Sequence, residues 1–281
     1  MTPLIQSLFA VGVVSLISLV GIATLSLRQE FLKKILFLLI SLAAGALLGD
    51  AFIHLIPEAF EQASALTVSL LILTGFFTFF VLEKFLNWHH SHGDEEYSPD
   101  HATIHPVGHM VIVSDGIHNL VDGIAIGAAF LISPEVGIAT TIAIALHEIP
   151  QEIGEFGLLI HAGFSRGKAL LMNFLSALTA FVGVGLAFWL STFGEIAVPL
   201  ITSFTAGMFI YIAAADLIPE LHKTTGKRRS LLQFGVILLG LLAMVLLMGT
   251  ESHGHGDEAH EGESTHLEEE MHLEEEVGHV D

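Results

Sequence analysis

The sequence predicts an all-α membrane protein with eight transmembrane helices. Its 281 residues are 52% hydrophobic and only 14% charged, with a mean hydropathy of +0.70. A soluble domain of this length could not hide so much apolar surface. Each of the eight apolar segments is close to or above the roughly 20 residues that a spanning helix needs. They lie at about 4–27, 35–60, 65–86, 107–132, 136–160, 168–191, 196–218 and 231–249, within a membrane domain of residues 1–250.

The second segment is the least uniform of the eight, because Asp50, His54 and Glu58 interrupt its apolar run. We therefore expect a hydropathy window to underrate it. Only the turn at 133–135 separates the fourth and fifth segments, which predicts that these two helices are antiparallel neighbours. The sequence contains no cysteine, and this excludes a disulfide framework and a thiolate metal site.

The positions of the ten Lys and Arg residues predict how the helices are oriented. With eight spans, all ten lie at one membrane face, in or beside the loops that follow the first, third, fifth and seventh helices. An excess of positive charge is typical of cytoplasmic loops. The sequence therefore predicts that both termini are non-cytoplasmic. The basic residues are Arg28, Lys33, Lys34, Lys84, Arg166, Lys168, Lys223, Lys227, Arg228 and Arg229.

Two polar segments lie outside the predicted helices. Residues 87–109 form a His-rich cytoplasmic loop between the third and fourth spans. Residues 251–281 form a tail with twelve acidic residues, six histidines and no basic residue. Such a composition is typical of disordered chain. Tracts of histidine and carboxylate also bind divalent cations weakly, so loose collection of cations is an alternative for both segments.

The sequence Leu-Ile-Pro-Glu occurs twice, at 55–58 near the end of the second segment and at 217–220 near the end of the seventh. In the predicted topology these helices run in opposite directions, with Glu58 toward the outside and Glu220 toward the cytoplasm. This is the arrangement of an inverted repeat, a common transporter architecture with its site near the membrane midplane. A match of four residues is weak evidence alone, and chance is the alternative.

The polar residues of the fourth and fifth segments form two stripes. An ionisable side chain at membrane depth costs at least about 2.5–3.5 kcal/mol, so these residues must face an interior. At 100° per residue, each stripe lies on one face of its helix. Imidazole, carboxylate and amide oxygen are ligands of transition metals, so the stripes indicate a metal pathway. They are Asp115, His118, Asn119 and Asp122 on the fourth segment, and His147, Glu148, Gln151 and Glu152, with Glu155 nearby, on the fifth.

Further residues of these segments favour a site between them. Pro150 has no backbone N–H and displaces the carbonyl of Leu146, which can open space for a ligand. The small residues Gly123, Gly127 and Ala128 would let a partner helix approach the fourth span closely. A single core histidine is usually structural, and a lone buried carboxylate can be a hydrogen-bond partner between helices. Two matched stripes favour a polar pathway over that alternative.

These motifs resemble those of the Zrt/Irt-like (ZIP) family of divalent metal transporters. The relevant subfamily has His-Asn-x-x-Asp-Gly on the fourth span and His-Glu-x-Pro-His-Glu-x-Gly-Asp on the fifth. The similarity extends over the whole membrane region, including Gly-Asp-Ala-Phe-Ile-His-Leu-Ile-Pro-Glu at 49–58, Asn-Phe-Leu-Ser-Ala at 173–177 and Asp-Leu-Ile-Pro-Glu at 216–220.

The resemblance implies a 3+2+3 arrangement of the eight helices, uptake toward the cytoplasm and frequent homodimers. It also implies a binuclear metal site between the fourth and fifth spans. Its first position would use His118, Asp122, His147 and residue 151. The second would use Asn119, Asp122, Glu148 and Asn173, and we add Glu152 to the predicted metal residues because it belongs to the same stripe.

The sequence departs from the subfamily pattern at two positions. Gln151 stands where the pattern has His, and Glu155 stands where it has Asp. The second change keeps a carboxylate. The first replaces imidazole by a neutral amide, a poorer ligand for zinc, so it either weakens the first position or shifts its preference toward harder ions such as Mn²⁺ or Fe²⁺. An engineered substitution that traps one state is a further alternative.

The predicted function is transport of a divalent metal, with zinc as the first candidate and iron, manganese and cadmium as others. We expect the metal as cargo, no prosthetic cofactor, no catalytic activity and no nucleic-acid partner. The expected partners are the metal, the lipid bilayer and a second copy of the chain in a plasma or inner membrane. Along the predicted pathway, Asp50, His54 and Glu58 come first, Asp115 adjoins the site, and Asp216 and Glu220 come last.

Two other functions fit parts of the sequence. A metal exporter would use similar ligands, and only the family resemblance favours import. An intramembrane zinc protease would need the motif His-Glu-x-x-His, with its second histidine at position 151. Position 151 is Gln, and Pro150 lies inside the motif, so the protease is the less favoured of the two.

Overall fold

The computed structural model describes residues 1–24, 27–91, 106–194 and 196–251, and the regular structure in these ranges is entirely helical. Each predicted apolar segment corresponds to one long helix. These helices are α1 (Pro3–Thr24), α2 (Gln29–Gln62), α3 (Ala65–Ser91), α4 (Pro106–Ile132), α5 (Pro134–His161), α6 (Arg166–Ser191), α7 (Ala197–His222) and α8 (Lys227–Glu251).

The helices extend beyond the apolar segments into the flanking polar sequence. Residues 87–91 continue α3 and residues 106–109 begin α4, so the predicted loop at 87–109 is helical at both ends. The rest of that loop, 92–105, and the predicted tail after Glu251 lie outside the described residues. The prediction of a disordered or cation-collecting tail therefore stays a prediction.

Seven of the helices in the described ranges are long and apolar enough to cross a membrane. The eighth, α5, has 28 residues, but Glu148, Glu152 and Glu155 interrupt its apolar sequence. The expectation that hydropathy would underrate the second segment is wrong, since α2 has a mean hydropathy of 2.2 in its best window. The 34 residues of α2 leave room for an apolar window that avoids most of its polar residues.

The α4 and α6 helices pack at backbone contact through two glycines. A Cβ atom added to Gly123 would lie 2.0 Å from the carbonyl oxygen of Ala180, and one added to Gly183 would lie 2.1 Å from the carbonyl oxygen of Leu120. A Cβ on Gly127 would lie 2.8 Å from the Cβ of Ala187. The predicted close approach along Gly123 and Gly127 is confirmed, and the partner helix is α6.

Two other helix pairs meet in the same way. Gly45 of α2 faces Gly240 of α8, and Gly75 of α3 faces Gly207 of α7, with added Cβ atoms 2.0–2.3 Å from a backbone carbonyl oxygen of the opposite helix. Exchanging the first three helices with the last three in an inverted repeat would exchange these two pairs. The similar glycine contacts of the α2–α8 and α3–α7 pairs fit the predicted inverted repeat. The complete 3+2+3 arrangement stays a prediction.

Both Leu-Ile-Pro-Glu sequences lie where a helix leaves a wide, π-helical turn. The wide turn is Asp50–Leu55 in α2 and Ala213–Leu217 in α7, and Pro57 and Pro219 follow two residues later. A proline inside a helix removes one backbone hydrogen bond and displaces a carbonyl of the preceding turn. Local π geometry accommodates such a break and is frequent at functional sites. The two matching sequences therefore have matching backbone geometry.

We expect Gly183→Ala to destabilise the protein by about 1–3 kcal/mol, because its methyl group would overlap the Leu120 carbonyl of α4. The measurement is the temperature at which purified protein in detergent loses its monodisperse state. The matched control is Gly185→Ala on the same helix, where an added Cβ has no neighbour within 4 Å. Equal temperatures for the two variants would contradict the close α4–α6 contact.

Candidate metal centre

Four side chains of α4 and α5 converge on one point, which we call the histidine centre. His118 and Asp122 lie one helical turn apart on α4, and His147 and Glu148 are adjacent on α5. One potential ligand atom of each residue lies within 4.8 Å of the other three. Asp122, His147 and Glu148 are buried, and the side chain of His118 is 12% exposed. The histidine centre is therefore enclosed but has one accessible member.

The distances within the histidine centre resemble those of a coordination shell. The Nε2 atoms of His118 and His147 are 3.3 Å apart, and Nε2 of His147 lies 3.3 Å from Oδ2 of Asp122. Oδ2 of Asp122 and Oε1 of Glu148 both lie 3.8 Å from Nε2 of His118. Ligands bound tetrahedrally to zinc at about 2.0–2.1 Å are separated by about 3.3–3.4 Å. The nitrogen and oxygen atoms are therefore close to the spacing that zinc requires.

A hydrogen bond on the far side of His147 sets its proton position. Nδ1 of His147 lies 3.2 Å from the carbonyl oxygen of Ala143. A carbonyl can only accept, so this hydrogen bond requires a proton on Nδ1, and Nε2 is the ring nitrogen that faces the histidine centre. Metal-binding histidines commonly donate their other ring N–H to a backbone carbonyl in this way. His147 is thus already oriented as a ligand.

Three carboxylate oxygens of the histidine centre are buried without a hydrogen-bond partner. They are both oxygens of Asp122 and Oε1 of Glu148. Burying a carboxylate is costly unless it is paired or coordinates a metal. Two imidazoles and two carboxylates form a donor set that suits zinc and other first-row divalent ions. The histidine centre can therefore hold a divalent cation.

Three further carboxylates, which we call the carboxylate cluster, lie along the same two helices. Asp115 is on α4, Glu152 and Glu155 are on α5, and one oxygen of each lies within 4.8 Å of the others. Glu152 follows Glu148 by four positions, which is about 6 Å along the helix axis. In the predicted topology, the carboxylate cluster lies on the cytoplasmic side of the histidine centre.

Neutral side chains donate hydrogen bonds to the carboxylate cluster. Asn119 donates to Oδ1 of Asp115 at 2.7 Å, and Ser176 of α6 donates to Oδ2 of the same residue. Asn173 of α6 donates to Oε2 of Glu152 at 2.8 Å. Gln151 donates to Oε1 of Glu155 at 3.2 Å. The close contact of α6 with α4 therefore brings two of the four donors to the cluster.

The structure divides the predicted metal residues between the histidine centre and the carboxylate cluster. The histidine centre contains four of them, whereas Asn119, Gln151, Glu152 and Asn173 belong to or surround the carboxylate cluster. This grouping differs from the one implied by the family resemblance, in which Asn119 and Asn173 share a position with Asp122 and residue 151 joins the first position. Asp115, which we predicted for the pathway, is a member of the carboxylate cluster.

On the other side of the histidine centre, Asp50 and His54 of α2 form a buried pair. Oδ1 of Asp50 lies 3.1 Å from Nδ1 of His54, and Oδ2 accepts a hydrogen bond from Thr140 of α5 at 2.8 Å. Nε2 of His54 is buried without a hydrogen-bond partner. Thr140 precedes His147 by seven residues, about 10 Å along α5. Glu58 lies nearer the helix end, where it accepts a hydrogen bond from Gln62.

A cavity of about 490 Å³ adjoins the histidine centre. Its walls include His118 and His147, and also Asp216 and Glu220 of α7. The side chain of Glu220 is 48% exposed and forms an ion pair with Lys223. The cavity therefore connects the histidine centre with the surface at the end of α7 that carries the basic residues. Gln151 and Glu155 line the same cavity.

Sequence reasoning missed two hydroxyl groups that bind the buried carboxylates, Thr140 beside Asp50 and Ser176 beside Asp115. Serine and threonine in helices usually bond to their own backbone one turn earlier, so their presence alone carries little information. The one signal for Ser176 was its place in the family-like sequence at 173–177. The sequence places Glu155 only near the stripe of the fifth segment, whereas the structure makes it a member of the carboxylate cluster.

Eight long helices, seven of them apolar enough to span a membrane, surround a buried group of histidines and carboxylates in the described part of the chain. These features define a multi-pass integral membrane protein with a candidate metal centre inside its helix bundle. A family model described as "ZIP Zinc transporter" matches residues 1–107 and 88–248. The chain belongs to this family, and the predicted resemblance is confirmed.

The chain is also similar to individual members of the family. It is 34% identical over 224 residues to "Zinc transporter ZIP13" of Pongo abelii, an alignment that covers 74% of this chain and 65% of that protein. It is 30% identical over 313 residues to "Metal cation symporter ZIP14" of Xenopus tropicalis, covering 84% and 67%. Identity to "Metal cation symporter ZIP8" of Homo sapiens is 29% over 318 residues, covering 85% and 69%. The chain thus spans about two thirds of the length of these relatives.

We expect Gln151→His to tighten zinc binding about tenfold, because a third imidazole would join His118 and His147 in the wall of one cavity. Calorimetry with zinc on the purified protein measures the change. Gln151→Asn serves as the control, since it shortens the side chain without supplying a nitrogen ligand. Unchanged zinc affinity in the histidine variant would mean that residue 151 does not reach the metal.

Proposed function

We propose that the protein transports divalent transition-metal ions, with zinc as the first candidate, across the membrane toward the cytoplasm. The observation that carries the proposal is the convergence of His118, Asp122, His147 and Glu148, whose carboxylates keep three buried oxygens without hydrogen-bond partners. Membership of the ZIP zinc transporter family supports it, as do the similar proteins, which are named as zinc transporters and metal cation symporters. The metal is cargo, and no catalytic role is proposed.

The proposed route follows one face of α5 through three polar levels. The Asp50–His54 pair beside Thr140 is the outer level, the histidine centre is the middle level, and the carboxylate cluster is the inner level. The levels are separated along α5 by about 10 Å and about 6 Å. Several sites of limited affinity allow an ion both to enter and to leave. Negative charge at each mouth, from Glu58 outside and from Asp216 and Glu220 inside, would concentrate cations there.

The conformation described here fits a state that is open to the cytoplasm. The cavity beside His118 and His147 extends to the exposed end of α7. Toward the outside, Ala143 and Ile144 are completely buried between Thr140 and His147, and Asp50 is completely buried as well. Transport would require an alternative packing that opens the outer side while it closes this cavity, as in other transporters with alternating access.

Orientation and assembly belong to the same proposal. The ten basic residues support non-cytoplasmic termini, and the outer, middle and inner levels of the route take their order from that orientation. We propose a plasma or inner membrane as the location and a homodimer as the assembly, the latter on family grounds. A metal exporter would use the same residues in the opposite direction. A zinc protease is disfavoured, since Gln151 donates to Glu155 at the position where the motif needs a histidine ligand.

We expect His118→Ala and Asp122→Ala to reduce zinc uptake into reconstituted vesicles to the background rate, because each removes a ligand of the histidine centre. The measurement is initial uptake of radioactive zinc, together with zinc binding to the detergent-purified protein. The matched control is His161→Ala, which removes an exposed histidine from the end of α5. Near wild-type uptake by either variant would contradict the assignment.

The direction of transport needs vesicles of known orientation. Because the sequence contains no cysteine, a single Glu135→Cys substitution in the predicted outer turn can be labelled from one side only. Vesicles sorted by this label separate import from export. Faster zinc movement from the labelled side to the side of the α7 cavity supports import, and the reverse preference supports the exporter.

We expect Asp50→Asn and Asp216→Asn to lower the transport rate several-fold while changing zinc affinity at the histidine centre less than about twofold. Both substitutions remove a charge from the route and leave the central ligands in place. Initial uptake rates and calorimetry on the same preparations give the two quantities. Asp50→Asn and Asp216→Asn rates equal to wild type would remove these residues from the route.

A further inference from the structure

We propose that an anionic phospholipid binds with its phosphate headgroup in a cavity of about 950 Å³ at the end of the bundle where α2 and α8 begin. We call it the basic cavity, and in the predicted orientation it lies at the cytoplasmic leaflet. The proposal rests on the proposed function for this orientation and for the direction of ion exit, whereas lipid binding can be measured without transport. The side chains that can bind phosphate are Lys33, Lys34, Lys223, Arg229, Thr224 and Thr225.

The first argument is the charge of the basic cavity. Four basic side chains and two carboxylates line it. Lys223 forms an ion pair with Glu220. In the described part of the chain, no ion pair includes Lys33, Lys34 or Arg229. Basic side chains gathered around one concave space suit an anion with several oxygens, such as a phosphate group.

The second argument is that two long helices begin beside the basic cavity. The first three residues of α8 are all basic, and its first turn contains no acidic residue. At the start of α2, the N-cap residue Arg28 makes no side-chain hydrogen bond to the helix. Free N–H groups and the helix dipole favour negative charge at a helix start, so basic side chains are unfavourable there. A bound anion would compensate both the N–H groups and the basic side chains.

The third argument concerns the apolar walls of the basic cavity, which favour a lipid over a soluble anion. Phe37 and Ile40 of α2 and Leu232 of α8 line it together with the charged residues. Ile40 follows Lys33 by seven positions, about 10 Å along α2 toward the membrane interior. Leu232 is 51% exposed on the outer helix α8. The phosphate would therefore bind near the lysines while the glycerol and acyl chains cover the apolar wall, as in other basic pockets between transmembrane helices.

The basic cavity shares a wall with the cavity beside the histidine centre. Ile40 and Glu220 line both cavities. A cation that leaves along the proposed route would pass Glu220 while Lys223 occupies its carboxylate. Positive side chains beside the exit repel the departing cation. A headgroup phosphate would neutralise them and compete with Glu220 for Lys223, so we expect anionic lipid to speed zinc release.

Lipid binding is tested by calorimetry on the full chain in detergent, with short-chain phosphatidylglycerol as the probe and short-chain phosphatidylcholine and inorganic phosphate as comparisons. We expect Lys33→Gln/Lys34→Gln/Arg229→Gln to weaken phosphatidylglycerol binding at least about tenfold, since each basic residue near the membrane surface adds to the attraction. The matched control is Lys84→Gln/Arg166→Gln/Lys168→Gln, which removes three charges from the same predicted face but outside the basic cavity. Lys33→Arg/Lys34→Arg keeps the charge and should keep the affinity.

Zinc uptake into vesicles tests the effect on exit. Phosphatidylglycerol added to phosphatidylcholine vesicles should raise the initial rate of the wild type and of the control variant several-fold. The cavity variant should not respond to the lipid. In phosphatidylcholine alone it should be at least as fast as the wild type, because the repelling charges are gone. A cavity variant slower than wild type in both membranes would contradict the exit argument, since loss of structure would then explain the effect.

The binding results separate the possible occupants. Equal phosphatidylglycerol affinity in the cavity and control variants would overturn the proposal. Inorganic phosphate that binds as tightly as the short-chain lipid would overturn the lipid as the occupant and favour a soluble phosphate. If zinc transport fails in every preparation, the proposed function fails, while calorimetry still decides whether the basic cavity binds an anionic lipid.

Discussion

The burial of several carboxylates and two histidines between α4 and α5 governs the rest of this structure. Each charged group at membrane depth must be shielded from lipid and given a partner. The α1, α2, α6 and α7 helices accordingly all pack against α4 or α5. In their most apolar windows, 61% of α4 and 67% of α7 is buried, against 17% of α3 and of α8. The outer helices α3 and α8 present apolar surface to lipid. The buried histidines and carboxylates of the site lie on the interior helices α4 and α5.

Close helix contacts are the second requirement, because short polar side chains reach across only when backbones approach. Gly123 and Gly183 bring α4 and α6 together. That approach carries Asn173 and Ser176 to the carboxylates of α4 and α5, where both donate hydrogen bonds. A larger residue at either glycine would separate the helices and withdraw these donors. The small residues of α4 and α6 thus contribute to the polar site without touching it.

The number and approximate limits of the helices could be predicted from the sequence, because apolar runs and basic loops are local signals. The 100° spacing also identified which residues of α4 and α5 face the interior. This spacing does not predict which residues group into the histidine centre and which into the carboxylate cluster. That grouping depends on how far α4, α5 and α6 are shifted along one another, which the period of a single helix does not contain. The structure shows Asn119, Gln151 and Asn173 donating hydrogen bonds to the carboxylate cluster, while their role as metal ligands stays a prediction.

The histidine centre and the carboxylate cluster differ in their ligand atoms, and this difference affects how an ion can be released. Release is difficult for any carrier that binds metal tightly. Imidazole nitrogen holds zinc well, whereas oxygen ligands hold it less tightly. An ion that leaves His118 and His147 for the carboxylate cluster would keep a negative environment and lose its strongest ligands. Gln151 extends this difference, because its amide is engaged with Glu155 instead of adding a third nitrogen to the histidine centre. The affinity for zinc would then be lower at the carboxylate cluster than at the histidine centre. This decrease favours release of the ion on the side where the cavity opens.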